Sequence, residues 1–264
     1  MVVSSEKLAS EVGLEILKRG GNAVDAAVAT GFALAVTYPR AGNLAGGGFM
    51  MIHLVKENRQ LLIDYREVAP MTSYKDLFLN QDGKVDRGRA YFSHQSAGIP
   101  GTVAGLTYAL THYGTMTLKE VMAPAIRLAA KGFPISYALA YEINARAKRL
   151  KLNNAARAIF FQTNGDNLQV GSIWKQNDLA KTLKLISKYG AKAFYTGKIA
   201  DLIVTDMEAN RGLITKQDLS GYQVRERQPL RGIYRDYEIV TTPPPSSGGI
   251  HIIQMLNILE GYDL

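Results

Sequence analysis

One run of residues in this chain combines charge, backbone rigidity and a guanidinium: Asp64-Tyr65-Arg66-Glu67-Val68-Ala69-Pro70. The apolar pattern before it predicts a strand near 61–65, so the run stands at a strand exit, where side chains are held firmly. There Arg66 can grip a carboxylate through two parallel N–H···O bonds, a fork-to-fork match that a lysine cannot make. The same residues admit a plainer reading, a surface ion pair of Arg66 with Glu67 or with Asp64. On the residues alone both readings stay open.

Other chemistry is scarcer. The chain has no cysteine, which excludes disulfides, thiolate zinc sites and a cysteine nucleophile. His53, His94, His112 and His251 show no helical metal spacing and no HExxH, so a metal enzyme is not expected. A Gly-x-Ser-x-Gly elbow is absent, which weakens an α/β-hydrolase reading. Gly46-Gly47-Gly48 lacks the Gly-Lys-Ser/Thr ending of a phosphate loop and runs into a strand at Phe49. Close backbone approach explains these glycines better than nucleotide binding does. Asp25 follows Asn22 by three residues. Helix capping explains this pair more simply than catalysis.

The elements that must position these groups follow from periodicity. A helix from Ser5 ends at Gly20-Gly21, and a second starts at Asn22 with Ala26, Ala27, Ala29 and Ala33 making it small-sided for close packing. Strands over 49–55 and 61–65 form a hairpin turning at Glu57-Asn58. The stretch 71–99 reads mostly as loop. Helices are expected over 101–113, over 118–131 with a kink at Pro124, over a basic 137–152, and over 178–189 and 198–210, with a short turn at 191–194. Residues 223–242 hold two antiparallel strands with Gly232 near their turn. A last helix over 250–259 is apolar on more than one side and wants burial. No repeat and no long linker divides the chain, so 1–264 reads as part of one domain.

Composition narrows the partners. A hydrophobic fraction of 47% excludes a disordered chain. Lys and Arg number 31 against 23 acidic residues, for a net charge of +8. The densest cations are Arg146, Lys148, Arg149, Lys151 and Arg157, without an interleaved aromatic platform. A solvated helix face is the preferred reading over nucleic acid, and an acidic partner chain is the other use of the excess. The charge-free apolar stretch 26–39 is too short for a bilayer, which needs about 20 residues. No secretory start pattern opens the sequence, so it is either cytoplasmic or lacks a removed targeting segment.

Five blocks in order resemble the γ-glutamyltransferase (glutathione hydrolase) family. They are Gly20-Gly21-Asn22-Ala23-Val24-Asp25-Ala26-Ala27, then Ala41-Gly42-Asn43-Leu44-Ala45-Gly46-Gly47-Gly48-Phe49-Met50, then Asp64 to Pro70. Pro100-Gly101-Thr102-Val103-Ala104-Gly105-Leu106 and Pro244-Pro245-Ser246-Ser247-Gly248-Gly249 complete the set. Ala45 departs from the pattern, where the family usually has glycine. The resemblance implies an N-terminal-nucleophile hydrolase fold, a four-layer αββα sandwich built from two subunits of one precursor. It implies a γ-glutamyl substrate such as glutathione, no cofactor, no membrane span, no nucleic acid and a periplasmic or extracellular location. It places Arg66 on the substrate α-carboxylate and the nucleophilic threonine in a small subunit. Thr241-Thr242 does not match the nucleophile segment, so the chain reads as a large-subunit portion, inactive alone. A related cephalosporin or poly-γ-glutamate acylase and a non-catalytic carboxylate-binding module are the alternatives.

Overall fold

A pair of glycines sets the first bend. Helix α1 spans Lys7–Lys18, and Gly20 beyond it adopts φ 89°, the left-handed region. The Gly20 N–H donates to the Leu17 carbonyl and the Gly21 N–H to the Ile16 carbonyl, which satisfies the helix end as a Schellman motif. The computed structural model describes residues 1–162 and 164–263; Thr163 and Leu264 lie outside the described residues.

Helix α2 (Ala23–Thr37) follows, then a hairpin of β1 (Phe49–Leu54) and β2 (Arg59–Asp64). A short α3 (Arg87–Phe92), α4 (Thr102–Tyr113) and α5 (Leu118–Lys131) come next. The two-residue β3 (Phe133–Pro134) precedes α6 (Tyr137–Ala145), α7 (Ala147–Leu150), α8 (Asn154–Phe160) and β4 (Ile173–Trp174). Helices α9 (Asn177–Tyr189), α10 (Lys192–Tyr195), α11 (Lys198–Ala209) and α12 (Lys216–Ser220) lead to β5 (Arg225–Arg227), β6 (Leu230–Tyr234), β7 (Tyr237–Thr241) and α13 (Gly248–Leu259). The fold is thus mixed helix and strand. The chain forms two compact units, Met1–Leu44 with Leu110–Leu202, and Ala45–Ala109 with Ile203–Leu264.

The first unit is helical. Ile16, Val28, Phe32, Val36, Met122, Leu183 and Ile186 are fully buried in its core. The small side of α2 lets α1 approach closely: a Cβ on Gly13 would stand 2.4 Å from the Thr30 hydroxyl oxygen. Asn22 caps α2 and accepts from the Val24 and Asp25 amides, while Asp25 accepts from the Asn22 amide. Pro124 sits inside α5 without ending it.

The second unit is built on a three-stranded antiparallel sheet in the order β1-β2-β5, with Phe49 opposite Asp64 and Asp64 opposite Arg225. Strand β2 is central, and Leu61 to Asp64 are all buried. A separate ribbon pairs β6 with β7, and Ile253 of α13 packs on it.

Three expectations change. The basic helix over 137–152 is broken into α6 and α7 at Arg146, whose amide bonds the Ile143 carbonyl in a tight terminal turn, and α8 follows beyond it. Residues 223–242 hold three strands, because β5 joins β2 across the sheet instead of its sequence neighbour. Gly232 is not at the turn: Arg235 and Asp236, at φ 46° and 67°, form the two-residue turn. Gly232 faces Ile239 within the ribbon, and a Cβ there would meet Ile253 at 2.9 Å. The stretch 71–99 is mostly loop as expected, with the short α3 capped by Asp86. Among the described residues no helix is long and apolar enough to cross a membrane.

Candidate functional site

Arg66 lies where the sheet stops. The Gly48–Tyr65 backbone pair extends the β1–β2 ladder by one rung, and Arg66 is the next residue. Its two peptide groups therefore find side-chain partners instead of strand partners. The Arg66 N–H donates to Asp64 Oδ1 at 3.0 Å, and its carbonyl accepts from the Tyr222 hydroxyl at 2.9 Å. The Arg66 side chain is 53% exposed, and its guanidinium lies 3.3 Å from Glu67 Oε2 and 6.0 Å above the centre of the Phe49 ring.

Glycines of two separate blocks, 41–50 and 100–106, converge on this segment. A Cβ on Gly47 would lie 2.5 Å from the Tyr65 carbonyl oxygen, and one on Gly105 would lie 2.1 Å from Tyr65 Cγ. One on Gly101 would lie 1.9 Å from that same carbonyl and 2.2 Å from the Tyr222 hydroxyl. These distances leave no room for any other residue, so the glycines serve close approach, as the sequence suggested for the run before β1. The amides of Gly101, just before α4, and Thr102, its first residue, both donate to the Gly46 carbonyl. The glycine run is thus occupied with backbone contacts.

Of the two plainer partners for Arg66, Glu67 is present and Asp64 is not. Asp64 is buried and accepts from Arg227 Nε at 2.6 Å, so its charge is committed across the sheet. Arg227 stands opposite Leu62 on β5 and reaches diagonally to Asp64 on the same face. Glu67 is half-buried, and its Oε2 accepts no hydrogen bond although the Arg66 guanidinium is beside it. Glu67 therefore offers Arg66 a charge and not a fork.

Burial pushes the Tyr65 phenol up to about 12. Burial first, and then the Asp64 and Glu67 carboxylates, push the Tyr222 phenol up as well. Both phenols stay protonated at neutral pH, and Tyr222 stays a donor. Tyr222 and Arg227 escaped the sequence reading because both lie more than 150 residues away. Only alternation in 223–227 hinted that this stretch met a strand.

Asp25 behaves differently. It is fully buried and accepts from the Thr115 and Met116 amides at 2.9 and 3.0 Å, from the Asn22 amide at 2.7 Å and from the Thr115 hydroxyl at 2.6 Å. Burial acts to raise its pKa, but these four bonds, led by the Thr115 hydroxyl, hold the carboxyl below its usual value. Every lone pair is used, which is a structural arrangement.

The basic segment places Arg146 against Glu142 and Lys151 4.7 Å over the Phe161 ring. Phe161 is buried, so it packs the lysine stem and presents no open face.

Known proteins resemble this chain over its whole length. The Escherichia coli (strain K12) glutathione hydrolase proenzyme is 48% identical over 264 residues, all of this chain and 45% of that protein. An acylase ACY 1 proenzyme of Pseudomonas sp. (strain V22) is 41% identical over 270 residues, with 48% of its length covered. The chain thus spans about half the length of the curated relatives it matches. The crystal structure of Helicobacter pylori gamma-glutamyltranspeptidase superposes with a TM-score of 0.98 at 45% identity, over 100% of this chain and 75% of that one. The family model for gamma-glutamyltranspeptidase matches residues 9–264, and the chain belongs to that family.

Proposed function

We propose that this chain is the large-subunit portion of an enzyme that cleaves γ-glutamyl amides such as glutathione, and that Arg66 holds the substrate α-carboxylate. The observation that carries the assignment is the half-exposed guanidinium at the strand exit, with its own backbone fixed on both sides. A carboxylate arriving there can accept two parallel N–H bonds, which Glu67 does not.

The chemistry belongs to a threonine at the start of a small subunit. Its hydroxyl oxygen attacks the γ-carbonyl carbon while the α-amine of the same residue takes the proton, directly or through water. The tetrahedral oxyanion collapses, the carbon–nitrogen bond breaks, and the leaving amine takes that proton. Water or an amino acid then attacks the γ-glutamyl ester and regenerates the threonine. In this reading 1–264 contributes to one domain, the four-layer sandwich is completed by strands of the small subunit, and the enzyme works in the periplasm or outside the cell. The Arg66 fork sets which end of the substrate is held, and so aims the γ-carbonyl at the nucleophile.

The test is Arg66→Ala in the complete two-chain protein. Loss of a partly buried charged contact costs about 2–5 kcal/mol. That corresponds to a fall in kcat/KM of about 30- to several thousand-fold. The loss should appear in KM, and Arg66→Lys should not restore it. Substrates without the α-carboxylate should lose much less. Equal kcat/KM for wild type and Arg66→Ala sinks the assignment. The acylase relative favours a second reading, acyl transfer from a substrate other than a γ-glutamyl amide. Preference for a substrate without the α-carboxylate would select it.

A further inference from the structure

The segment 215–222 fastens the Arg66 loop at two points. Thr215 and Asp218 form a capping box at the start of α12, and Asp218 Oδ1 also accepts from the Met71 amide at 2.9 Å. Past the end of α12, the Tyr222 amide bonds the Leu219 carbonyl, which fixes where the Tyr222 ring begins. Its hydroxyl then reaches the Arg66 carbonyl at 2.9 Å and sits against Gly101, where no Cβ fits.

The two fasteners do different work. The Asp218 carboxylate ties the far end of the run, after Pro70. The Tyr222 hydroxyl ties the peptide of Arg66 itself. A residue beyond the end of a strand has lost its ladder partner, so its carbonyl orientation depends on whatever else bonds it. Turning that peptide swings the Cα–Cβ vector and with it the guanidinium. A fork contact is directional, and small angular errors cost it one of its two bonds.

We propose that Tyr222 is a positioning residue for Arg66: its hydroxyl sets the fork without touching the substrate. The proposal rests on the reading of Arg66 as the α-carboxylate clamp. Asp64, itself held by Arg227, fixes the preceding peptide group through the Arg66 N–H, so loss of Tyr222 loosens the loop and does not release it.

The experiment is a double-mutant cycle in the complete two-chain enzyme, with Tyr222→Phe, Arg66→Ala and the combination. Phe keeps the ring and removes the single donor. Loss of one neutral hydrogen bond predicts that Tyr222→Phe raises KM about 2- to 10-fold for γ-glutamyl substrates. Saturated kcat should stay within about 2-fold, and a substrate without the α-carboxylate should be unaffected. In the Arg66→Ala background the Tyr222→Phe effect should vanish, because the group it positions is gone. An unchanged KM in Tyr222→Phe overturns the proposal, as does an equal rise with and without Arg66 or for both substrates. If Arg66→Ala raises KM while Tyr222→Phe does not, only this proposal fails. If Arg66→Ala itself leaves KM unchanged, the clamp reading fails and takes this one with it.

Discussion

Two acidic turns of this molecule look alike in sequence and differ in what they leave over. In Asn22–Asp25 the carboxylate spends every lone pair on neighbours and reaches no solvent. In Asp64–Glu67 the first carboxylate is equally committed, to Arg227 and to the Arg66 amide, but the guanidinium between the acids is not. It stays half exposed beside a Glu67 oxygen that accepts no hydrogen bond. The difference teaches how to separate structural from binding charges. A structural charge is saturated by its own chain, whereas a binding charge has its backbone immobilised and its fork kept available.

The largest expected effect breaks the saturated side. Asp25→Ala leaves the Asn22, Thr115 and Met116 amides without their acceptor in a buried place. Unsatisfied buried donors cost about 1–3 kcal/mol each before relaxation, so a loss of about 3 kcal/mol or more is expected. Denaturant unfolding of wild type and variant measures it. KM for substrate should be unchanged in the fraction that folds. A loss below about 1 kcal/mol would show that water replaces the carboxylate easily, and the contrast with Arg66 would weaken.

The acid limb of stability sharpens the same point. Asp25 and Asp218 are both held below the ordinary carboxylate range, burial opposing and hydrogen bonds prevailing. A depressed folded-state pKa means that their stabilisation is complete above the unfolded value, about 4. It is lost as pH falls through the lower folded values. Urea midpoints measured downward from pH 6 should therefore hold level and then drop below about pH 4. Asp25→Asn should flatten that drop, because the titrating group is removed. An unaltered acid limb in Asp25→Asn would assign the drop to other carboxylates.

What the sequence disclosed follows from the range of each interaction. The Gly20-Gly21 helix end, the Asn22–Asp25 cap and the 49–64 hairpin rest on neighbours within a few residues, and all three are present. The site was legible as the run Asp64 to Pro70, with its Arg66–Glu67 pair, and as the close-approach glycines 46–48. Tyr222, Arg227 and Asp218 act across the fold, and nothing local marks them. Gly232 misled because a glycine in a strand pattern suggests a turn. Its cause is Ile253 overhead, and the turn is made instead by Arg235 and Asp236. The apolar α13 also carries more than local pattern explains. Ile250, Ile252, Met255, Ile258 and Leu259 remain exposed, a face with room for the small subunit that the proposed function requires.

The smallest expected effect tests the binding side. The Arg66 side chain is half exposed and screened by water, although the Glu67 Oε2 beside it is buried. Pairs screened from one side in this way contribute about 0–1 kcal/mol, so Arg66→Ala should shift unfolding by no more than that. The backbone fasteners do not depend on the side chain: the Arg66 amide still donates to Asp64 and its carbonyl still accepts from Tyr222. The same substitution should therefore cost activity by a factor of hundreds while leaving the midpoint nearly still, the reverse of Asp25→Ala. Loss of about 2 kcal/mol or more of stability in Arg66→Ala, with kinetics near normal, would make Arg66–Glu67 a structural pair. The distinction between the two turns would then collapse into one kind of saturated charge.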